Sequence, residues 1–209
     1  MNKTCTSFVI GFVVWLLVSF AGQAETHQVD IKWNGKSLET GQVAYVKDGI
    51  AWAPVREVAE AVGAKVSWNQ RTRMVTAVKG STTLTLQAGS DRMQVNGKSI
   101  RLPAIVKLEK GRTVAPIRVI TEALGAKVEW IGLDQAVYIT EAGKISVKEA
   151  EERIRKQLGI GASSKTVVEF DHLEGTQYGI HVYDLMGSHT ATRGWYYVDL
   201  HSGKVDSMF

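Results

Sequence analysis

Apolar residues recur along this chain in two rhythms. Val55, Val58, Ala59 and Val62 fall three and four positions apart, as do Ile117, Ile120, Thr121 and Leu124. Each set predicts one buried stripe on a helix of about nine residues. A helix of that length is marginal by itself in water and must bury its stripe against a sheet. Short strand patterns, residues 50–53 and 112–115, run into Pro54 and Pro116. Proline suits the first helical position, where its preset φ helps and its missing N–H is not needed. Gly63 and Gly125 then stop the helices in the left-handed conformation. Strand patterns resume at 65–68 and 127–130, so each unit reads strand, helix, strand.

Alternation with period two fills most of the remaining chain up to residue 140, punctuated by turn pairs. Asn34-Gly35, Asp48-Gly49, Asn96-Gly97 and Lys110-Gly111 stand between strand patterns. Asn-Gly there is the strongest short hairpin signal, because a type I′ turn needs positive φ at both central residues. Around Gly80, residues 74–78 and 82–87 form another pair, with Leu84 and Leu86 alternating with threonines. Residues 136–140 close the series.

These patterns occur twice. Each residue from Thr113 to Trp130 lies 62 positions after its partner in the stretch from Ala51 to Trp68, and the register reaches back without a gap to Asn34-Gly35-Lys36-Ser37 against Asn96-Gly97-Lys98-Ser99. A gapless match of that length is an internal duplication, with repeats at about 29–80 and 91–140. After a polar break, Ser146-Val147-Lys148-Glu149 is a capping box that opens a charged helix to Leu158, with Val147, Ala150, Ile154 and Leu158 on one stripe. Strand patterns follow at 166–170, 177–185, 195–200 and 205–208. The expected class is α+β: duplicated antiparallel β-sheet units, each with one short helix, plus a small C-terminal helix-and-sheet domain.

The repeated motif, Ala53-Pro54-Val55-Arg56 through Glu60-Ala61-Val62-Gly63-Ala64-Lys65-Val66-Ser67-Trp68 and its twin ending at Trp130, resembles the copper amine oxidase N-terminal-like, or stalk, domain of secreted and wall proteins. The resemblance covers about 29–140 and departs from the usual pattern only in having Ala53 and Ala115 where valine is common. It implies a sheet wrapped on a helix, accessory to catalysis elsewhere and without copper chemistry of its own. Ile145-Ser146-Val147-Lys148-Glu149-Ala150, with Tyr197-Val198-Asp199-Leu200-His201-Ser202-Gly203-Lys204-Val205, is similar to a PepSY-type domain over 144–209. That second resemblance implies binding or restraint of extracytoplasmic peptidases.

The first 24 residues have a different character. Lys3 precedes an apolar run, 8–20, and Ala21-Gly22-Gln23-Ala24 offers small residues for cleavage after Ala24. This reads as a secretory signal peptide, with a retained anchor as the alternative. The run is shorter than the ~20 residues that a spanning helix needs. Cys5 precedes the run, so a mature chain from residue 25 has no cysteine and no disulfide. Of the chain's 25 basic residues, removing Lys3 leaves 24 against 21 acidic, a net of +3 spread without a basic block. That gives no reason to expect nucleic acid, and contact with membrane is expected only through the signal peptide before cleavage.

Candidate chemistry is sparse. Arg56 and Arg118 occupy the first turn of each helix, facing the unfavourable end of its dipole. They are candidate anion contacts, or else partners of Glu60 and Glu122 four residues on. Trp68 and Trp130 read mainly as core, with sugar stacking as the alternative. In 195–198, Trp195 and Tyr197 fall on one face and Tyr196 and Val198 on the other; with a helix over one face, the second is candidate contact surface. His172 and His181 could meet across a hairpin, but no tight metal motif, catalytic cysteine, Gly-x-Ser-x-Gly or phosphate loop is present, nor the ligand and quinone motifs of an amine oxidase. The sequence therefore implies no cofactor, no metal site and no catalytic residue. The expected function is a secreted non-catalytic module at the cell wall, its partner a wall polymer or an extracytoplasmic protein. The alternative is a peptidase regulator acting through the C-terminal domain.

Overall fold

The computed structural model describes residues 26–41 and 44–208. The apolar run, the cleavage point at Ala24 and residues 42–43, in the strand pattern before Asp48-Gly49, lie outside the described residues. Strands β1 (His27–Gln28), β2 (Asp30–Trp33), β3 (Lys36–Ser37), β4 (Tyr45–Lys47) and β5 (Ile50–Pro54) lead into helix α1 (Val55–Ala61). Then come β6 (Lys65–Asn69), β7 (Met74–Lys79), β8 (Thr82–Gln87), β9 (Arg92–Val95), β10 (Lys98–Arg101), β11 (Lys107–Glu109) and β12 (Arg112–Pro116), followed by α2 (Ile117–Ala123). The chain ends with β13 (Ala126–Ile131), β14 (Ala136–Glu141), α3 (Val147–Gln157), β15 (Thr166–Glu174), β16 (Gln177–Met186), β17 (His189–Asp199) and β18 (Val205–Met208). The architecture is α+β and dominated by antiparallel pairing.

Local chemistry accounts for most of these elements. At all four expected turn pairs both central residues have positive φ, from 46° at Asn34 to 81° at Gly35, as type I′ turns require. The helical stripes are buried as expected: Val55, Val58, Ala59 and Val62 in α1 and its cap, Ile117, Ile120, Thr121 and Leu124 in α2 and its cap. Thr121 fits an apolar stripe because its hydroxyl donates to the Ile117 and Arg118 carbonyls, both at 3.0 Å. The prolines depart from expectation. Pro54 and Pro116 keep extended ψ values of 123° and 114°, so each ends its strand and caps the helix instead of opening it. Both helices are accordingly seven residues long.

Above this local level the repeats are interleaved. The strands that precede the helices pair with each other, Ala115 opposite Ala53, at the centre of the sheet β1-β4-β5-β12-β11. The first repeat's opening hairpin, β2–β3, joins the second repeat's last strand, with β14 parallel to β2. The second repeat's opening hairpin, β9–β10, extends the first repeat's sheet β10-β9-β8-β7-β6. One apolar core gathers residues from both repeats, including Val58, Ala59, Ile117 and Ile120. This exchange is why the hydrophobic pattern of one repeat is satisfied only by the other.

Helix α3 covers the inner face of the sheet β15-β16-β17-β18. The capping box forms: Glu149 N–H donates to Ser146 Oγ, and Ser146 N–H donates to Glu149 Oε2 at 2.9 Å. Strand β17 begins at His189, six residues before the expected start, because polar residues 189–194 pair with β16 at the outer end of a long hairpin. The helix and sheet dock on β13–β14. Tyr138 and Ala136 belong to their core, Phe170 stands edge-on to Tyr138 at 5.6 Å, and Glu129 accepts from Ser146 Oγ at 2.8 Å and Lys148 N–H at 3.3 Å. Lys127 Nζ adds a 2.7 Å bridge to Glu149.

Candidate functional site

Strands of a sheet covered on one side must turn every second residue to the other side. In β16 and β17 the buried set is Tyr178, Ile180, Val182, Tyr196 and Val198, facing α3. Tyr196, at 6% exposed, is therefore core, and its place among the contact candidates falls to its neighbours. Trp195 and Tyr197 lie on the outer face and are only half covered. There they are joined by three residues that the sequence reading did not group with them. His181 stacks flat on Trp195, with centroids 4.3 Å apart and planes 8° apart. Tyr183 follows at 4.8 Å from His181. His172 sits 6.0 Å from both Trp195 and Tyr197.

The result is a continuous ladder of five rings across three strands. Its order follows from register: His181 is opposite Trp195, and Gly179 is opposite both Tyr197 and His172. Gly179 makes the ladder possible. A Cβ there would lie 2.6 Å from His172 Cε1, so only glycine lets the imidazole lie over the strand between the two aromatic rings. Polar partners fix the edges. His181 Nε2 and Thr192 Oγ1 are 3.0 Å apart, His172 Nδ1 is 2.8 Å from Asp171 Oδ2, and Tyr183 donates to Glu169 Oε2 at 2.8 Å. That last bond to a carboxylate, more than burial, raises the Tyr183 phenol above its ordinary value. Met208, 61% exposed, is opposite Trp195 on the edge strand and extends the apolar surface. The alternation in Gly179-Ile180-His181-Val182-Tyr183 could have revealed His181 and Tyr183. The placement of His172 depends on a bulge between Phe170 and His172 that no local pattern announces.

The two repeated arginines lie elsewhere. Arg56 Nη1 is 3.3 Å from Glu60 Oε1 and donates to the Val66 carbonyl at 3.4 Å. Arg118 Nη1 is 3.5 Å from Glu122 Oε1 and donates to the Val128 carbonyl at 3.0 Å. Each thus ties its helix to the strand after it, and these exposed pairs are worth about 0.3–0.5 kcal/mol. Each also lines a groove with the repeated tryptophan, Trp68 or Trp130. The core expectation does not hold for Trp130, which is 44% exposed: it pairs with Val137 near the end of β13, the edge strand of its sheet, and faces the groove beside α3 and β15. Trp68 is half-buried and donates Nε1–H to Gln70 at 2.9 Å. Trp52 is buried, with Lys107 Nζ 4.1 Å above its ring, and Trp33 packs on the main core. Among the described residues no three His, Cys, Asp or Glu side chains gather closely enough to hold a metal ion.

The chain is 28% identical over 101 residues to a Brevibacillus choshinensis protein described as a protease inhibitor. The match takes in 48% of this chain and 31% of that relative, so the chain spans about a third of the relative's length. Residues 17–139 match the copper amine oxidase N-terminal domain, a non-catalytic stalk-type domain. With more than half of its length matched, the chain belongs to the copper amine oxidase N-terminal domain family.

Proposed function

We propose that the protein is an exported, non-catalytic binding module of the cell envelope, secreted or wall-associated, in which the stalk-type part holds position and the C-terminal sheet makes the contact. The observation that carries this reading is the outward ring ladder Tyr183–His181–Trp195–His172–Tyr197. Large rings with polar edges supply contact area at little conformational cost, and a contiguous apolar patch on a sheet face marks an interaction surface more often than an accident. A wall glycan, with its flat C–H faces and hydroxyl rim, fits such a ladder. Co-sedimentation of the mature protein with isolated cell walls tests the reading. The wild type is expected to pellet, and Trp195→Ala with Tyr197→Ala to stay in solution. Equal pelleting of wild type and variant would remove the ladder from the contact.

A second reading has its own support. The relative described as a protease inhibitor and the PepSY-like character of residues 144–209 both favour restraint of an extracytoplasmic peptidase. Titration of culture-supernatant peptidase activity with the mature protein tests it; activity unchanged at saturating protein would exclude it.

A further inference from the structure

We propose that the groove beside Arg56 and Trp68 is a docking site for an acidic, leucine-bearing segment of a partner protein. The groove, of about 530 Å³, lies between β6–β7 and the β11–β12 hairpin. Three guanidiniums line it, Arg56, Arg73 and Arg112, against one carboxylate, Glu57. Arg112 is held by Glu57 at 3.1 Å and by the Thr40 carbonyl at 2.6 Å, and Arg56 by Glu60. Arg73, exposed on the tight turn between β6 and β7, makes no side-chain ion pair or hydrogen bond among the described residues. Trp68, Val66, Val75 and Leu108, the last 54% exposed, supply the apolar part of the wall, beside the uncharged polar Gln70 and Thr113.

The groove beside the second repeated arginine has the opposite charge balance. Arg118, Val128 and Trp130 occupy the twin positions, and there the chain itself provides carboxylates: Glu129 on the strand, Glu151 from α3 and Glu169 from β15. Lys148 is the second cation of that groove, no second arginine lines it, and Gln135, 62 positions after Arg73, is not among its lining residues. The first groove thus carries three guanidiniums against one carboxylate, and the second carries Arg118 and Lys148 against three carboxylates. Guanidiniums pair with carboxylates through parallel N–H···O bonds. The apolar half of the wall favours a peptide with aliphatic side chains over a phosphate polymer, which has nothing to bury there. This inference does not depend on the ring ladder.

The test uses the full mature chain and NMR titration, reading arginine Nε–H and tryptophan indole signals. The probes are an acetylated, amidated Glu-Leu-Glu-Glu-Leu-Glu peptide, its Gln-for-Glu counterpart and inorganic polyphosphate. The glutamate peptide is expected to shift the Arg73 and Trp68 signals, the glutamine peptide to leave them in place, and Arg73→Gln to weaken binding about tenfold. Arg73→Gln keeps the fold, because Gln135 holds the same left-handed conformation at the twin turn, φ 49° against 52°. Trp195→Ala is expected to leave this binding unchanged. Equal binding of the glutamine peptide, an unchanged affinity in Arg73→Gln, or saturation by polyphosphate but not by the peptide would each overturn the proposal.

Discussion

Strands β6–β7 and β13–β14 are twins in sequence and in hairpin form, yet one presents an open face and the other a covered one. Their inward residues are equivalent: Val75 and Ala77 match Val137 and Ile139, all buried in the shared core. Their outward residues diverge. Ser67, Met74 and Thr76 are exposed or half-exposed, while their counterparts Glu129, Ala136 and Tyr138 hold the C-terminal helix and sheet. Tyr138 buries its ring beneath Phe170 and donates its hydroxyl to Asp134, which Lys32 also bridges at 2.7 Å. Burial and that carboxylate together push the Tyr138 phenol upward. A handful of outward side chains thus decides whether the same scaffold is a free surface or a docking platform. The inward residues cannot differ in this way, because both repeats fill one core.

The strongest way to break this comparison is through the inward set. Val58→Asp and Ile120→Asp place an unpaired carboxylate at sites only 1% exposed, at a cost of several kcal/mol, comparable to a domain's whole stability. Both variants are expected to lose the cooperative thermal transition, and a normal melt for either would mean that the repeats do not share one core. Next comes the outward set. Tyr138→Ala is expected to cost about 3–5 kcal/mol in urea denaturation, whereas the twin Thr76→Ala stays within about 0.5 kcal/mol. Similar losses at both sites would erase the distinction between open and covered faces.

Smaller effects sharpen it. Glu129→Ala removes the acceptor for Ser146 Oγ and Lys148 N–H and is expected to cost about 1 kcal/mol, with Ser67→Ala nearly neutral by the same measurement. The smallest effect concerns the sheet that does the covering. Backbone N–H of Ser202, its hydroxyl, Thr176 and the His201 N–H all donate to Asp199, holding its carboxyl at about 2. A depressed folded value means stability that is present above the unfolded value of about 3.9 and is lost as pH falls through about 2. The stability gap between wild type and Asp199→Ala is therefore expected to hold at pH 5–7 and to shrink as pH falls from about 3.9 through about 2. A gap constant down to pH 2 would mean that the turn does not depend on the ionised carboxylate.

Much of this was legible in the sequence wherever the cause is local. Asn34-Gly35 and its three companions demand positive φ wherever they sit, Ser146 and Glu149 cap each other within one turn, and the α1 and α2 stripes fall on one side of any helix. The candidate contact face was half legible. Alternation put Trp195 and Tyr197 together and Tyr196 opposite, but not His172, whose place depends on a bulge and on the missing side chain of Gly179. The prolines misled by one residue, since a ring that presets φ serves a strand end and a helix start equally well.

The sequence by itself determined the repeat, the elements, their buried faces and the family. Only the tertiary structure decided which strand meets which: β2 with β14, the β9–β10 hairpin beside β8, and Tyr138 rather than Thr76 beneath the C-terminal sheet. The reason is the reach of the forces. Backbone sterics, capping and periodicity act within a few residues and are written in composition and spacing. Strand pairing and docking are choices among surfaces of similar pattern that are far apart in the chain, settled by the total apolar area that one arrangement removes from water.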